Sequence, residues 1–302
     1  VVDDGAALEF FNNSGNTIQF RAEPVTINGT GISNGGAIRS IQGNNKFLGT
    51  ITVGADTRIN SDTDNNLFEI ASSGNITGTG LDIIFGGTGD IKVDDPINTG
   101  SGGKVTKDGS GELEISAASN YTGLVTISAG TLTAANNTAL GTIAGGVTVA
   151  SGAILNLREG ITVGNEALAL VGSTLTNETS ASWVAGYGGG NTNTYQGVIT
   201  LTGNSTINSD YGTLTINSGG SITSAGNHDI SIGGGGAINV NDPISIGSGT
   251  ITKVGGGVVQ LQQDNTYSGG TVLTAGTLAP YAIGAIGSNI TFNGGAIRHY
   301  ST

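Results

Sequence analysis

The sequence predicts an all-β chain folded as a right-handed parallel β-solenoid of about a dozen coils. Three observations carry that prediction. Glycine supplies 55 of the 302 residues, far above the usual fraction of about 7%. Short runs of alternating apolar and polar residues recur along the whole chain, separated by Gly, Asn, Ser and Asp clusters. The chain also repeats itself in one register.

The glycine content excludes more than it permits. Collagen needs a strict three-residue period and abundant proline, and there are only 4 prolines. A disordered linker does not fit a chain that is 36% hydrophobic. Glycine costs about 1 kcal/mol per helical position relative to alanine, so extensive helix is excluded as well. The alternating runs are strand-like: Thr50-Ile51-Thr52-Val53, Val147-Thr148-Val149, Ile199-Thr200-Leu201 and Thr213-Leu214-Thr215-Ile216. Every second side chain is apolar and faces inwards, while β-branched residues suit a pleated surface and the glycine and asparagine clusters suit turns.

The choice of a solenoid over a sandwich rests on self-similarity. Val105-Thr106-Lys107-Asp108-Gly109-Ser110-Gly111 returns as Ile251-Thr252-Lys253-Val254-Gly255-Gly256-Gly257, 146 residues later. Asn120-Tyr121-Thr122-Gly123 and Ala129-Gly130-Thr131-Leu132 return at the same offset as Thr266-Tyr267-Ser268-Gly269 and Ala275-Gly276-Thr277-Leu278. Residues 45–132 and 193–278, in round bounds, are two copies of one unit. A finer repeat, an aromatic followed two positions later by glycine, falls at Phe47/Gly49, Tyr121/Gly123, Tyr195/Gly197 and Tyr267/Gly269, with steps of 74, 74 and 72 residues. Such a module divides into about three coils of ~20–25 residues, and crossovers between parallel strands favour the right hand. The expected organisation is one continuous solenoid over 1–302, interrupted by an irregular insertion at 178–193.

Composition also bounds the partners. Twenty-two acidic and 10 basic residues give a net charge of −12, with no Lys/Arg cluster, so nucleic acid and anionic membrane surfaces are poor partners. Cysteine is absent, which removes disulfides and thiolate metal sites and leans towards a bacterial surface protein. No segment approaches the apolar length of a membrane-spanning helix. Methionine is also absent, so the chain reads as a processed product or a fragment.

The repeated residues resemble a known family. Gly249–Leu261, continued through Asn265-Thr266-Tyr267-Ser268-Gly269-Gly270-Thr271 to Ala275-Gly276-Thr277-Leu278, is similar to the autotransporter-associated β-strand repeat, and Lys107–Leu132 fits the same pattern. The second departs at Leu124-Val125, where the first has Gly270-Thr271. The resemblance implies a right-handed parallel β-helix on the outside of a bacterium, as a passenger exported through an outer-membrane barrel. It implies structural residues, Lys107 and Lys253 among them, and no catalytic ones.

Candidate chemistry is sparse. Gly31-Ile32-Ser33-Asn34-Gly35 has the form of a nucleophile elbow, but β-type sequence follows it and no helix does. His228 and His299 are too few for a zinc site. Asp62, Asp64 and Asn66 open like a calcium loop, but Leu67 and Ser73 stand where glycine and glutamate are required. A weak calcium site, if any, would use Asp62 and Asp64; no other cofactor or metal is expected. Asp94-Asp95 and Asn241-Asp242 bear on polysaccharide chemistry, and Asp95 and Asp242 each precede a proline, where the carboxylate organises a turn. The outward Thr-x-Thr pairs at 50/52, 131/133, 213/215 and 250/252 lack the constant spacing of a stacked array. Trp183 and Tyr187, inside the insertion, are the candidate glycan or partner contacts, because loops on a regular scaffold carry function.

The expected function is a non-catalytic extracellular structural protein of a bacterial cell surface, forming a stalk, matrix or head-to-tail filament with a part in adhesion. Its expected partners are further copies of itself and surface glycans. Two readings from other classes stand beside it: a polysaccharide-active β-helix enzyme and a glycan-binding adhesin.

Overall fold

The computed structural model describes residues 1–20, 23–71, 74–178, 191–217, 219–282, 284–287 and 289–299. The fold is all-β, with parallel sheets stacked as a β-solenoid of about 12 turns. The described residues hold one short 3-10 turn, Ile32–Asn34. The chain falls into two compact units, Val1–Val147 and Thr148–Thr302.

In the first unit, one ladder stacks Ile18–Phe20, Asn45–Phe47, Leu67–Ile70, Asp90–Val93, Glu112–Ile115 and Thr131–Ala134 in parallel register. A second stacks Leu8–Phe11, Ile38–Gln42, Ile51–Ser61, Ile83–Gly87, Val105–Lys107 and Val125–Ile127. The strand Ile51–Ser61 turns a corner and serves a third, short ladder through Ile51–Val53, which pairs with Val25–Ile27 and Ile76–Thr77. Parallel strands in register put like positions above one another, so the interior is built of columns. One column runs Ile38, Ile59, Phe85, Lys107 and Ile127, all buried. Near the first coil the lumen is aromatic: Phe10 lies 4.3 Å from Phe20 and 5.5 Å from Phe68 between ring centroids.

The second unit has three ladders. One joins Ile154–Leu157, Thr174–Asn177, Ser205–Ser209, Ile230–Gly233, Ile251–Val254, Thr271–Leu273 and Ile290–Phe292. Another joins Thr162–Val163, Thr192–Tyr195, Thr213–Ile216, Ala237–Val240, Val258–Leu261, Thr277–Pro280 and Ala296–Ile297. The third joins Leu168–Val171, Ile199–Gly203, Ile222–Ser224 and Ile244–Ser245. Lys253 stands inside a buried column, between Ile232 and Leu273.

The interior is less uniformly apolar than alternation predicts. Asn45, Asn156, Asn177 and Asn193 are buried. Their amide nitrogens donate to backbone carbonyls or to polar side chains, as in Asn177 Nδ2 to Tyr211 O at 2.6 Å and Asn156 Nδ2 to Glu178 Oε2 at 2.8 Å. A buried amide is tolerated where its N–H donors find acceptors, among them the carbonyls that a turning coil leaves unpaired.

Candidate functional site

The two lysines of the repeated motif occupy inward positions at the ends of their strands. Lys107 is 2% exposed and Lys253 0%. Their alkyl stems fill the apolar column and their ammonium groups reach the corner. Lys107 Nζ donates to Asp108 O at 2.7 Å, Gly109 O at 2.8 Å and Ala129 O at 3.2 Å. Lys253 Nζ donates to Val254 O at 2.6 Å, Gly255 O at 2.8 Å and Ala275 O at 3.2 Å. An ammonium has three donors and no acceptor, so each lysine is saturated by three carbonyls. Two belong to its own turn and one to the next coil.

This geometry explains the other repeated letters. Gly130 and Gly276 adopt φ of 67° and 65°. A Cβ on either would stand 2.9 or 2.8 Å from the lysine Nζ and 2.5 or 2.4 Å from the carbonyl of Gly109 or Gly255. The glycines of the aromatic-x-glycine repeat have a different physical basis. Gly49, Gly123, Gly197 and Gly269 do not have positive φ. Each lies against a carbonyl of the preceding coil, so that a Cβ would come within 2.2 Å of Glu23 O, 2.4 Å of Gly103 O, 1.5 Å of Glu166 O and 2.3 Å of Ser248 O, respectively. Close approach, more than turn conformation, requires glycine there.

The aromatic partners are buried beside those contacts. Tyr121 Oη donates to Ala139 O and Tyr195 Oη to Glu166 O, each at 2.8 Å. Gly287 N donates to Tyr267 Oη at 3.0 Å. Phe47, which has no hydroxyl, lies 6.1 Å from Phe10 in the aromatic lumen.

Burial shifts the titration of these groups. It lowers the Lys107 ammonium to about 8, with Asp108 and Asp90 opposing the shift and Arg58 adding to it. Burial also lowers Lys253. Glu166 is 2% exposed, and burial pushes its carboxyl up to about 8. Tyr195 rises well above its ordinary value, first by burial and then by the Glu166 charge. Neither Glu166 nor the buried asparagines were identified from the sequence. Glu166 lies outside the repeated motif, and nothing in its neighbours along the chain marks it as buried.

Of the carboxylates considered from the sequence, Asp62, Asp94 and Asp242 are engaged in structure. Asp62 accepts from Arg39 Nε at 2.6 Å and from the Asn60 amide, while Asp64 is exposed in a turn. Asp94 contacts Lys92 at 3.0 Å and the Ser116 hydroxyl; these interactions lower its carboxyl although burial opposes them. Asp95 and Asp242 are buried before their prolines. Asp242 accepts from Gly219 N at 3.1 Å. Burial and the Asp94 charge raise Asp95, against the pull of the Gly74 amide. Among the described residues no group of three or more His, Cys, Asp or Glu is gathered as a metal site would require.

The remaining candidates are dispersed. Ser33 sits in the Ile32–Asn34 turn at φ 52°, and a strand, Ile38–Gln42, follows. His228 is half-buried and its backbone N–H donates to Ser224 Oγ, while His299 is exposed near the end of the second unit. Thr213 and Thr215 stack on Thr192 and Thr194, but the next coil brings Ala237 and Asn239. Trp183 and Tyr187 lie outside the described residues. The outward faces of the first unit carry a charge ladder, Lys46, Glu69, Lys92 and Glu114 in direct register.

The architecture defines a repeat protein in which the recurring residues join one coil to the next. Residues 105–134 and 251–279, the two lysine corners, match the family model described as passenger-associated-transport-repeat. The matched segments cover about a fifth of the chain, and together with the solenoid they suggest an autotransporter passenger domain. Such a repeat implies a secreted or surface-exposed protein and is not a known enzyme family. The comparison with curated proteins and that with solved structures each gave no match.

Proposed function

We propose that this chain is a non-catalytic structural passenger of a bacterial cell surface, a stalk or matrix element that holds adhesive loops away from the cell. One observation carries this reading. The residues repeated at fixed spacing, Lys107/Lys253 and Tyr121/Tyr267 with their glycines, are buried and bonded to backbone carbonyls, hydroxyls or amides of adjacent coils. A repeated residue that reaches no solvent acts on the scaffold and not on a substrate.

Antibody labelling of intact cells expressing the gene tests the location, with the chain expected to be accessible without permeabilisation. Labelling only after lysis would contradict it. Incubation with acidic and neutral polysaccharides tests the absence of catalysis: neither new reducing ends nor unsaturated uronates are expected, and either product would establish the enzyme reading. The adhesive part is assigned to Trp183 and Tyr187. Trp183→Ala is expected to abolish binding on a glycan array with the thermal midpoint unchanged. Unaltered binding would remove the assignment.

A further inference from the structure

One corner of the second unit sets an aromatic ring outside the solenoid. Tyr121, Tyr195 and Tyr267 are buried, whereas Tyr211 is 68% exposed. It stands in the turn between Ser205–Ser209 and Thr213–Ile216. Backbone bonds tie this turn to residues on either side of 179–190 in the chain. Asp210 N donates to Asn177 O at 3.0 Å and Thr213 N to Asn191 O at 3.2 Å.

The next two coils leave space beside the ring. Their register places Gly234–Gly236 and then Gly255–Gly257 at the same corner. Gly234 and Gly255 have positive φ, 125° and 66°. Gly256 does not, and a Cβ there would meet nothing within 4 Å, so neither conformation nor packing requires glycine. The first unit shows what such a corner otherwise carries. Asp62 and Thr63 follow the Ile-Asn-Ser that precedes Asp210 and Tyr211 in the second copy. Thr88 and Ser110 then stack on the next two coils, and Thr63, Thr88 and Ser110 are all exposed. The second unit thus has one aromatic ring and two bare positions, Gly235 and Gly256, where the first has small polar side chains.

The polar groups beside Tyr211 are acidic or neutral. Asn208 Nδ2 donates to Asp210 Oδ1 at 2.7 Å and to Thr176 Oγ1 at 3.2 Å. A carboxylate has about four acceptor sites, and this bond takes one. Between Arg158 and Lys253 the sequence has no Lys or Arg.

We propose that this corner binds a neutral polysaccharide, with one pyranose ring stacked on Tyr211, its hydroxyls donating to Asp210, and the glycan continuing over Gly235 and Gly256. The C–H face of a pyranose suits an aromatic ring, and its hydroxyls suit a carboxylate that still has acceptor sites. Two coils cleared of side chains give a strip about 10 Å long, the length of about two sugar rings. A stretch without cations beside a carboxylate disfavours uronates and sulfated sugars. One ring is also far too small an apolar patch to hold a folded protein. The site rests on the adhesive part of the function proposed above, to which it adds a contact outside residues 179–190 and a ligand class.

An array of neutral glucan, mannan and galactan oligosaccharides, with oligogalacturonates beside them, tests the site on the purified whole chain. Binding is expected to neutral members and not to oligogalacturonates. For a neutral oligosaccharide that binds, Tyr211→Ala is expected to raise Kd about tenfold or more, while Tyr211→Phe, which keeps the ring, stays within about threefold. Gly256→Gln fills the strip and is expected to weaken binding about fivefold with the thermal midpoint unchanged. No binding to any neutral member, or binding to oligogalacturonates alone, would overturn the proposal. So would a Tyr211→Ala variant with a lowered midpoint and unchanged binding, because the ring would then be covered by its own chain. Neutral binding that is lost in Trp183→Ala and unchanged in Tyr211→Ala overturns this site and leaves the adhesive reading standing.

Discussion

The ammonium of Lys107 reaches across to the next coil and donates to the carbonyl of Ala129 at 3.2 Å. Lys253 makes the same bond to Ala275, also at 3.2 Å. These bonds satisfy corner carbonyls that no strand amide reaches. Lys107→Met preserves the stem and removes the donor, leaving three carbonyls without it. A loss of roughly 2–4 kcal/mol is expected in denaturant unfolding, since each buried acceptor left without a partner costs about 1–3 kcal/mol before relaxation. Lys253→Met should behave alike. A change within experimental error would mean that the corner carbonyls find other donors.

Glycine substitutions separate close approach from turn conformation. A Cβ at Gly123 would lie 2.4 Å from Gly103 O, while one at Gly256 meets nothing within 4 Å and that residue has no positive φ. Gly123→Ala is therefore expected to lower stability by about 3 kcal/mol or more, because the backbones of two coils must separate. Gly256→Ala is expected to stay within about 0.5 kcal/mol. Thermal and denaturant midpoints of the two variants decide the matter, and equal effects would contradict the stacking described for the first.

Glu166 makes stability depend on pH in a predictable direction. Its carboxyl is raised from 4.5 to about 8 by burial, so the folded chain holds a proton that the unfolded chain releases. Its contribution is fully present below pH 4.5 and is lost as pH rises to 8, with a slope of up to about 1.4 kcal/mol per pH unit. Lys107 acts elsewhere: lowered from 10.5 to about 8, it adds stability only as pH rises from 8 towards 10.5. Denaturant midpoints measured from pH 5 to 8 should fall in the unmodified chain and flatten in Glu166→Gln. The same slope in both would remove Glu166 as the cause.

Two buried asparagines, Asn177 and Asn193, hydrogen-bond to each other on either side of residues 179–190 in the chain. Asn193 Nδ2 donates to Asn177 Oδ1 at 2.5 Å and to Leu157 O at 3.2 Å, and Asn193 Oδ1 accepts from Ile161 N at 2.7 Å. Replacing residues 179–190 with a short Gly-Ser linker is expected to leave the unfolding midpoint nearly unchanged. Asn193→Ala should cost roughly 2 kcal/mol, because it leaves a buried N–H and a carbonyl without partners. A large loss from the linker variant would show that residues 179–190 support the solenoid.

The coil architecture was legible because a parallel solenoid repeats its demands at each level. Thr-Lys, Gly-x-Gly and Ala-Gly recur at one offset because one corner needs an ammonium, a left-handed turn and room beside Nζ. The same logic hid other features. Lysine at an inward position reads as a break in alternation until its carbonyl partners are visible in space. Asn177 and Asn193 look like turn residues, since sequence alone cannot show that their amides line the interior. Gly49 and Gly197 were legible as recurrent, but the carbonyls they avoid belong to preceding coils and are named only by the register. The charge ladder Lys46, Glu69, Lys92 and Glu114 was not legible either, because its members are 22–23 residues apart.

Hydrogen exchange of Lys107→Met against the unmodified chain tests most directly whether the repeated motif joins coils. The account predicts faster exchange in two separated segments, the turn around Asp108–Gly111 and the facing turn around Ala129–Thr131, because one ammonium holds both. Faster exchange confined to the residues next to position 107, with the Ala129 segment unchanged, would contradict it.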